Sequence, residues 1–284
     1  MHIIIGTANF SQNYGLDKSK ISSISMAQKI LNFCEKNKIK TIDDAYQYNN
    51  SKKIYKKLRL NNFNLITKIK LPRNYKSYKD LNNYLKNIIS KDLKNLSKKN
   101  FSHILAHEVY KDDKKNKIII KILKHLKKKK FTKKIGVSGY NPNEIKKILK
   151  IWKPEVIQLP LNVLDQRLIS SKIIDLLHRK KIEIHVRSIF LQGMLVRTKI
   201  PKKLRKFKKY FINWNKWCSH HKINKVKACI QYVRRFKKIS AIIIGINSLS
   251  QIKQINRFFN ERNINLNYIN FGVNNNLIDP RKWN

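Results

Sequence analysis

Eight short apolar runs, separated by stretches of helical spacing, recur roughly every 30 residues along the chain. This rhythm restricts the fold more than any other feature of the sequence. The runs are Ile3–Ala8, Thr41–Ala45, Leu65–Ile69, His103–His107, Ile135–Ser138, Val156–Pro160, Ile184–Ile189 and Ala241–Ile246. Each is too short for a helix and too apolar for a strand with one wet face. They read as strands buried on both sides, in a parallel sheet wrapped by helices. Between them, Ile118, Ile122 and Leu126 recur four apart among lysines, and Ile173, Leu176 and Leu177 cluster likewise. Ile252, Ile255 and Phe259 mark one face of the last helical segment. Asn141-Pro142-Asn143-Glu144 sets an N-cap Asn, a first-turn Pro and a third-position Glu at one helix start; Ser248-Leu249-Ser250-Gln251 repeats the pattern.

About eight β–α units in 284 residues is the repeat count of a (β/α)8 TIM barrel, an α/β fold in a single domain. Residues 1–260 are expected to form the barrel, with 261–284 as a C-terminal tail packing on or near its mouth. A doubly wound open sheet competes, but it carries a Gly-rich turn after its first strand. With only seven Gly, this chain has neither G-x-G-x-x-G nor a P-loop. A single fold of this size buries ~75% of its unfolded surface, so its core needs no disulfide and no metal. Cys34, Cys218 and Cys229 stand in no metal-like pairing and suit a reducing compartment. Cys218, His220 and His221 lack a fourth ligand at a sensible spacing, so no metal is expected there. No run approaches the ~20 apolar residues of a membrane span. The opening Met1-His2-Ile3-Ile4-Ile5-Gly6 lacks a basic signal-peptide region, so the expected location is cytoplasmic, with no membrane partner.

Sixty-four Lys and Arg against 16 Asp and Glu give a formal charge of +48, which first points to nucleic acid. Lys, Asn and Ile are nevertheless abundant along the whole chain, and all three use A/T-rich codons. Dispersed charge of this kind reads as compositional drift rather than a dedicated polyanion surface, so no specific nucleic-acid partner is expected. The basic, aromatic-laced stretch Pro201–Trp217 reads as an amphipathic cover whose aromatics pack on the barrel, with a substrate-facing role or polyanion binding as alternatives.

In a barrel, functional groups lie at the C-terminal ends of the strands. There the second run ends in Asp43-Asp44-Ala45-Tyr46-Gln47-Tyr48, the third in Thr67-Lys68 and the fourth in Ala106-His107-Glu108. A carboxylate, a phenol, an ammonium and an imidazole thus converge from three successive strands. With Gly6-Thr7-Ala8, the Asp43-x-Ala-x-x-Tyr48 spacing, Thr67-Lys68 and His107, the chain resembles the aldo-keto reductase superfamily. The resemblance continues in order through Ile135-Gly136-Val137-Ser138, Gln158-x-x-x-Asn162, the Arg187–Gly193 segment and Ile242–Ser248. Bacterial members with this opening and an Asp-Pro-Arg-x-Trp ending, here Asp279–Trp283, are linked to surface-polysaccharide metabolism.

That resemblance implies a nicotinamide-dependent oxidoreductase acting on a small-molecule aldehyde or ketone, including sugar derivatives. It implies NADP(H) in preference to NAD(H). The catalytic set would be Asp43, Tyr48, Lys68 and His107. A free Tyr, with pKa ≈ 10, is too weak an acid at neutral pH unless its anion is stabilised; an adjacent ammonium does this, and a carboxylate keeps the ammonium charged. Tyr48 would therefore be the general acid, selected over Tyr46 by the family spacing. Lys68 would tune it, Asp43 would partner Lys68, and His107 would orient the substrate oxygen. Asp44 stands where the family usually has Thr and reads as a loop or cap group. For the cofactor, the resemblance points to Gly6, Thr7, Ser138, Gln158, Arg187, Ser188, Gly245, Asn247, Ser248 and Gln251. Ser138 and Gln158 would meet the nicotinamide carboxamide, and the Gly245–Gln251 junction the phosphates. Gly139 replaces a common Asn. Arg187 replaces a ring-stacking Tyr, and Gln251 stands where an Arg often meets the NADP 2′-phosphate. A cofactor-retaining isomerase or dehydratase, and a non-catalytic scaffold or polyanion-binding barrel, stay open as alternatives.

Overall fold

Every apolar run forms a strand, because backbone groups buried on both sides can satisfy their hydrogen bonds only by pairing with one another. The computed structural model describes residues 1–11, 15, 23–48, 51–264, 271 and 274–283. The strands are β1 (His2–Gly6), β2 (Thr41–Asp43), β3 (Asn64–Ile69), β4 (Phe101–Ala106), β5 (Thr132–Ser138), β6 (Val156–Pro160), β7 (Glu183–Arg187) and β8 (Ala241–Gly245). All pair in parallel and in sequence order, and β8 closes on β1 with Gly6 opposite Gly245. The result is a closed (β/α)8 barrel. At β5 and β6 the backbones approach so closely that a Cβ on Gly136 would stand 2.0 Å from the Val156 carbonyl oxygen, so only glycine fits there.

Strand alternation sorts the interior into layers. Ile4, Ile66, Leu105, Val156, Ala241 and Ile243 form a buried apolar plug inside the barrel. Two residues further along their strands stand Gly6, Lys68, His107, Gln158 and Gly245, so the polar groups gather at the C-terminal mouth, one layer above the plug. The predicted architecture holds, with Asp43, Tyr48, Lys68 and His107 all lining one cavity there.

The helices form because each buries one stripe against the sheet. They are α1 (Ala8–Ser11), α2 (Ile24–Lys36), α3 (Ser51–Tyr55), α4 (Tyr78–Asn95), α5 (Asp113–Lys128), α6 (Pro142–Ile151), α7 (Arg167–Ser170), α8 (Ile173–Arg179), α9 (Lys208–His220), α10 (Lys225–Arg234) and α11 (Leu249–Asn260). α5 buries Ile122 and Leu126 as its spacing predicts, while Ile118 is only partly covered. In α11 the core-facing aromatic is Phe258, with Phe259 half-buried. Asn141 caps α6, accepting from the Glu144 N–H at 3.0 Å. Along the basic stretch Pro201–Trp217, Phe207, Phe211, Trp214 and Trp217 are buried while the lysines are exposed, which is the cover arrangement. Of the expected tail, residues 265–270, 272–273 and 284 lie outside the described residues. Leu277, Ile278 and Trp283 are buried. Among the described residues, no helix is long and apolar enough to cross a membrane.

Candidate active site

Lys68, near the end of β3, donates from Nζ to Asp43 Oδ2 at 2.5 Å and to the Asp44 carbonyl at 3.0 Å. Asp43 Oδ1 accepts from Gln158 Nε2 at 2.7 Å. With their side chains only 3% and 6% exposed, the Lys68 and Asp43 charges are tolerable because each neutralises the other. Asp44 is the neighbouring carboxylate and could have competed for the ammonium. It turns instead to Thr7, whose Oγ1 lies 3.2 Å from Asp44 Oδ1. Burial pushes its carboxyl up to about 6, so it belongs to a separate Asp44–Thr7–Tyr55 group.

Tyr48 reaches the same place from the turn after β2, which is fixed by Tyr48 N–H donating to the Ala45 carbonyl at 2.9 Å. The Lys68 Nζ stands 6.0 Å from the centre of its ring. The His107 ring meets it edge-on, 6.4 Å away between centroids. Burial, then the positive charges of Lys68, Arg187 and Lys70, push the His107 imidazole down to about 3, so the ring is neutral at working pH. Its Nδ1 lies 2.9 Å from Gln47 Oε1. Tyr46 is hydrogen-bonded towards Tyr84 and does not line the cavity.

The cavity at this mouth has a volume of about 550 Å³. Gly6, Thr7, Ser138, Arg187, Ser188, Gly245, Asn247 and Gln251 line it with the four catalytic candidates. Two expected cofactor residues do not. Gln158 is fully buried beneath the site and spends its amide N–H on Asp43. Ser248 caps α11, its Oγ accepting from Gln251 N–H at 3.3 Å. Gln251 Oε1 accepts in turn from Asn247 N–H at 2.8 Å.

Sequence reasoning missed several wall residues, among them Asn9, Phe190, Arg197 and Tyr140. Two guanidiniums stand over the Tyr140 ring, Arg187 at 4.3 Å and Arg281, from the tail, at 3.5 Å from its centre. Arg187 also donates to the Gly139 carbonyl at 3.0 Å. The signal available was an aromatic two residues beyond Ser138, at the end of β5. The loop after β7 holds Ser188, Leu191 and Gln192 at positive φ of 60°, 47° and 52°. Such left-handed non-glycine backbone is costly and collects at functional sites. A larger hollow of about 790 Å³ lies outside the barrel beside the start of α6 and holds none of the four catalytic candidates.

A closed barrel with a buried ammonium–carboxylate pair beside a phenol and a neutral imidazole belongs to the class of oxidoreductase barrels. The chain matches the model of the Aldo/keto reductase family over residues 2–267, and it belongs to that family. A sequence search of curated proteins found no match. Among solved structures, the fold is similar to that of an aldo-keto reductase from Bacillus halodurans in its holo form, at 18% identity and a TM-score of 0.72, covering 93% of this chain and 88% of the other. It is also similar to the glycerol dehydrogenase of Gluconobacter oxydans, at 18% identity and a TM-score of 0.69, covering 91% and 86%.

Proposed function

We propose that this protein reduces a small aldehyde or ketone, including sugar derivatives, with NADP(H) in preference to NAD(H). The observation that carries this reading is the buried Lys68–Asp43 pair beside Tyr48 at the floor of the 550 Å³ cavity. Aldo-keto reductases use nicotinamide cofactors, and three features of the cavity and of the layer beneath it fit one. Gln158 Oε1 is buried without a hydrogen-bond partner, which suits an amide N–H donor. Gly6 and Gly245, opposite each other across β1 and β8, present no side chain of their own to the cavity wall. The start of α11 turns N–H groups and the helix dipole towards the same mouth. Ser138 and Gln158 would hold the carboxamide, Arg187 and Ser188 would flank the ring, and Gly245, Asn247, Ser248 and Gln251 would hold the phosphates. Gln251 stands where an Arg often meets the NADP 2′-phosphate, and the dispersed lysines would substitute for it.

When bound, the nicotinamide supplies the hydride. Tyr48 gives the proton that the emerging alkoxide needs, and Lys68 stabilises the phenolate left behind. Asp43 keeps Lys68 charged and aimed, and Gln158 in turn fixes Asp43. His107 has one N–H when neutral. With Gln47 Oε1 facing Nδ1, that proton sits on Nδ1 and Nε2 is a bare lone pair. Donation from Nε2 to the substrate oxygen therefore requires the exposed Gln47 amide to turn over, presenting its NH2 to Nδ1.

The direct test is to titrate the protein with NADPH and NADH while following cofactor fluorescence, with NADPH binding more tightly. Failure to bind either nucleotide would move the assignment to a non-catalytic barrel. A Gly245→Val variant is expected to weaken binding about tenfold while the fold persists. A Cβ there already comes within 3.1 Å of Asn9 Oδ1, and the branches beyond it would enter the cavity. Unchanged affinity in folded protein would place the phosphates in another loop. The pH profile of kcat/KM is expected to show no inflection from His107 between about pH 5 and about pH 9, because its imidazole protonates only near 3. An inflection near 6 that disappears in His107→Gln would overturn that reading.

A further inference from the structure

The N-terminal mouth of the barrel, on the far side of the apolar plug, carries a second group of chemically active side chains that the proposed reduction does not use. Alternation along the strands brings His103 of β4 and Glu183 and His185 of β7 together, although β4 and β7 are not neighbours in the sheet. The two imidazoles lie 5.6 Å apart between centroids. One donor atom from each of the three residues falls within 4.8 Å of the others. His185 is 1% exposed.

The hydrogen bonding around His103 decides what this group wants. Ser102 has one hydroxyl proton and donates it to the Leu65 carbonyl at 2.8 Å. Its Oγ, 3.0 Å from His103 Nδ1, is left as the acceptor, so Nδ1 carries the ring proton. In the neutral ring Nε2 is then a bare lone pair. It is buried without a hydrogen-bond partner, and 3.8 Å away stands another acceptor, Glu183 Oε2. Glu183 Oε2 is met from its outer side by the Lys134 ammonium at 2.5 Å, while the bare His103 Nε2 facing it has no proton to share, an arrangement that a cation between the two would complete. Glu183 Oε1 meets His185 Nε2 at 2.8 Å.

We propose that His103, Glu183 and His185 form a binding site for a divalent transition-metal ion of the zinc class. Two imidazoles and one carboxylate are an established zinc donor set, leaving the fourth position to water. Donors around tetrahedral zinc, with bonds of 2.0–2.1 Å, stand about 3.3 Å apart. His185 Nε2 lies 2.8 Å from Glu183 Oε1, His103 Nε2 lies 3.8 Å from Oε2, and one donor atom from each residue falls within 4.8 Å of the others, so the three must draw in somewhat to reach that value. The Ser102 contact is the outer hydrogen bond that zinc-bound histidines usually make from their second nitrogen. On coordination His185 exchanges its bond to Glu183 for the metal, its ring proton passing from Nε2 to Nδ1. Lys134, which now contacts Glu183, has a half-exposed side chain and can withdraw to solvent. The ion would tie β4 to β7 across the barrel. This proposal is independent of the carbonyl-reductase reading, because the apolar plug separates the two mouths.

The test uses untagged protein stripped with a chelator and titrated with Zn2+ alone in a non-coordinating buffer. One equivalent is expected to bind and to raise Tm. Ser102→Ala should weaken affinity by about 10–100-fold, and His103→Gln or His185→Gln should abolish the one-to-one event. His220→Ala/His221→Ala, on the remote α9 end, should leave it unchanged. Should the histidine variants fail to fold, X-ray absorption of the zinc-loaded wild type settles the ligands. Two imidazoles and a carboxylate support the site, whereas a sulfur shell places the ion elsewhere and overturns it. No saturable binding, or equal affinity in Ser102→Ala and His103→Gln, would also overturn it and leave a proton shared between His103 and Glu183 as the cation.

Discussion

Tyr48→Phe is expected to lower kcat for carbonyl reduction by about 10²–10⁴-fold, the range that one general acid supplies. The Kd for NADPH should stay nearly unchanged, because the hydroxyl proton is needed only as the alkoxide forms. The ring is retained, so its edge-on packing against His107 persists and the loss cannot be assigned to a collapsed site. Tyr46→Phe is the control. Tyr46 lies outside the cavity and bonds towards Tyr84, so its hydroxyl is not in reach of a substrate there. Stopped-flow reduction of a carbonyl panel, with cofactor binding measured separately, reads both effects. If Tyr46→Phe were damaging and Tyr48→Phe mild, the acid would be Tyr46. If neither mattered, the isomerase and scaffold alternatives would replace the reductase reading.

The contrast between those two tyrosines shows what was legible before any coordinates. The eight strand–helix units followed from spacing, since strands buried on both faces leave an unbroken apolar record, and the missing Gly-rich turn favoured the closed barrel over an open sheet. The predicted ends overran β1, β2, β4, β7 and β8 by one or two residues. Part of the reason is that the ladder continues past the regular strands: Thr7 donates to the Asp43 carbonyl, Asp44 to Ile66 and His107 to Ile69. The convergence of Asp43, Tyr48, Lys68 and His107 was legible because strand order fixes which ends meet. Gln158 was named from the resemblance, but its bond to Asp43 was not legible, because its orientation depends on Asp43 needing a second donor once buried. Nor was the placement of Arg187 and Arg281 over Tyr140, which joins β5, β7 and the tail through side chains with no common periodicity. At the opposite mouth, Glu183 and His185 share a face by their i, i+2 spacing, but nothing in the sequence announces that His103 faces them across the barrel.

Lys68→Met is expected to damage stability and catalysis together, and the two losses have different origins. Removing the ammonium leaves Asp43 buried with its charge uncompensated, with Gln158 Nε2 still donating to its Oδ1. Breaking a buried pair from one side typically costs about 3–5 kcal/mol, far more than the intact pair contributes over a neutral replacement. Urea unfolding should therefore show a large drop in midpoint at neutral pH. Adding Asp43→Asn should restore much of it, since the amide oxygen still accepts from Gln158 and no lone charge remains. Activity should not return in the double variant. Without Lys68 the ammonium 6.0 Å from the centre of the Tyr48 ring is gone and its anion loses that support, so proton transfer stays slow by a factor on the order of that for Tyr48→Phe. Recovery of stability without recovery of turnover would separate the electrostatic role of Lys68 from its structural one. A Lys68→Met protein that is as stable as wild type would mean that the Asp43 charge is met by another group. A double variant that regains turnover would remove Lys68 from the chemistry altogether.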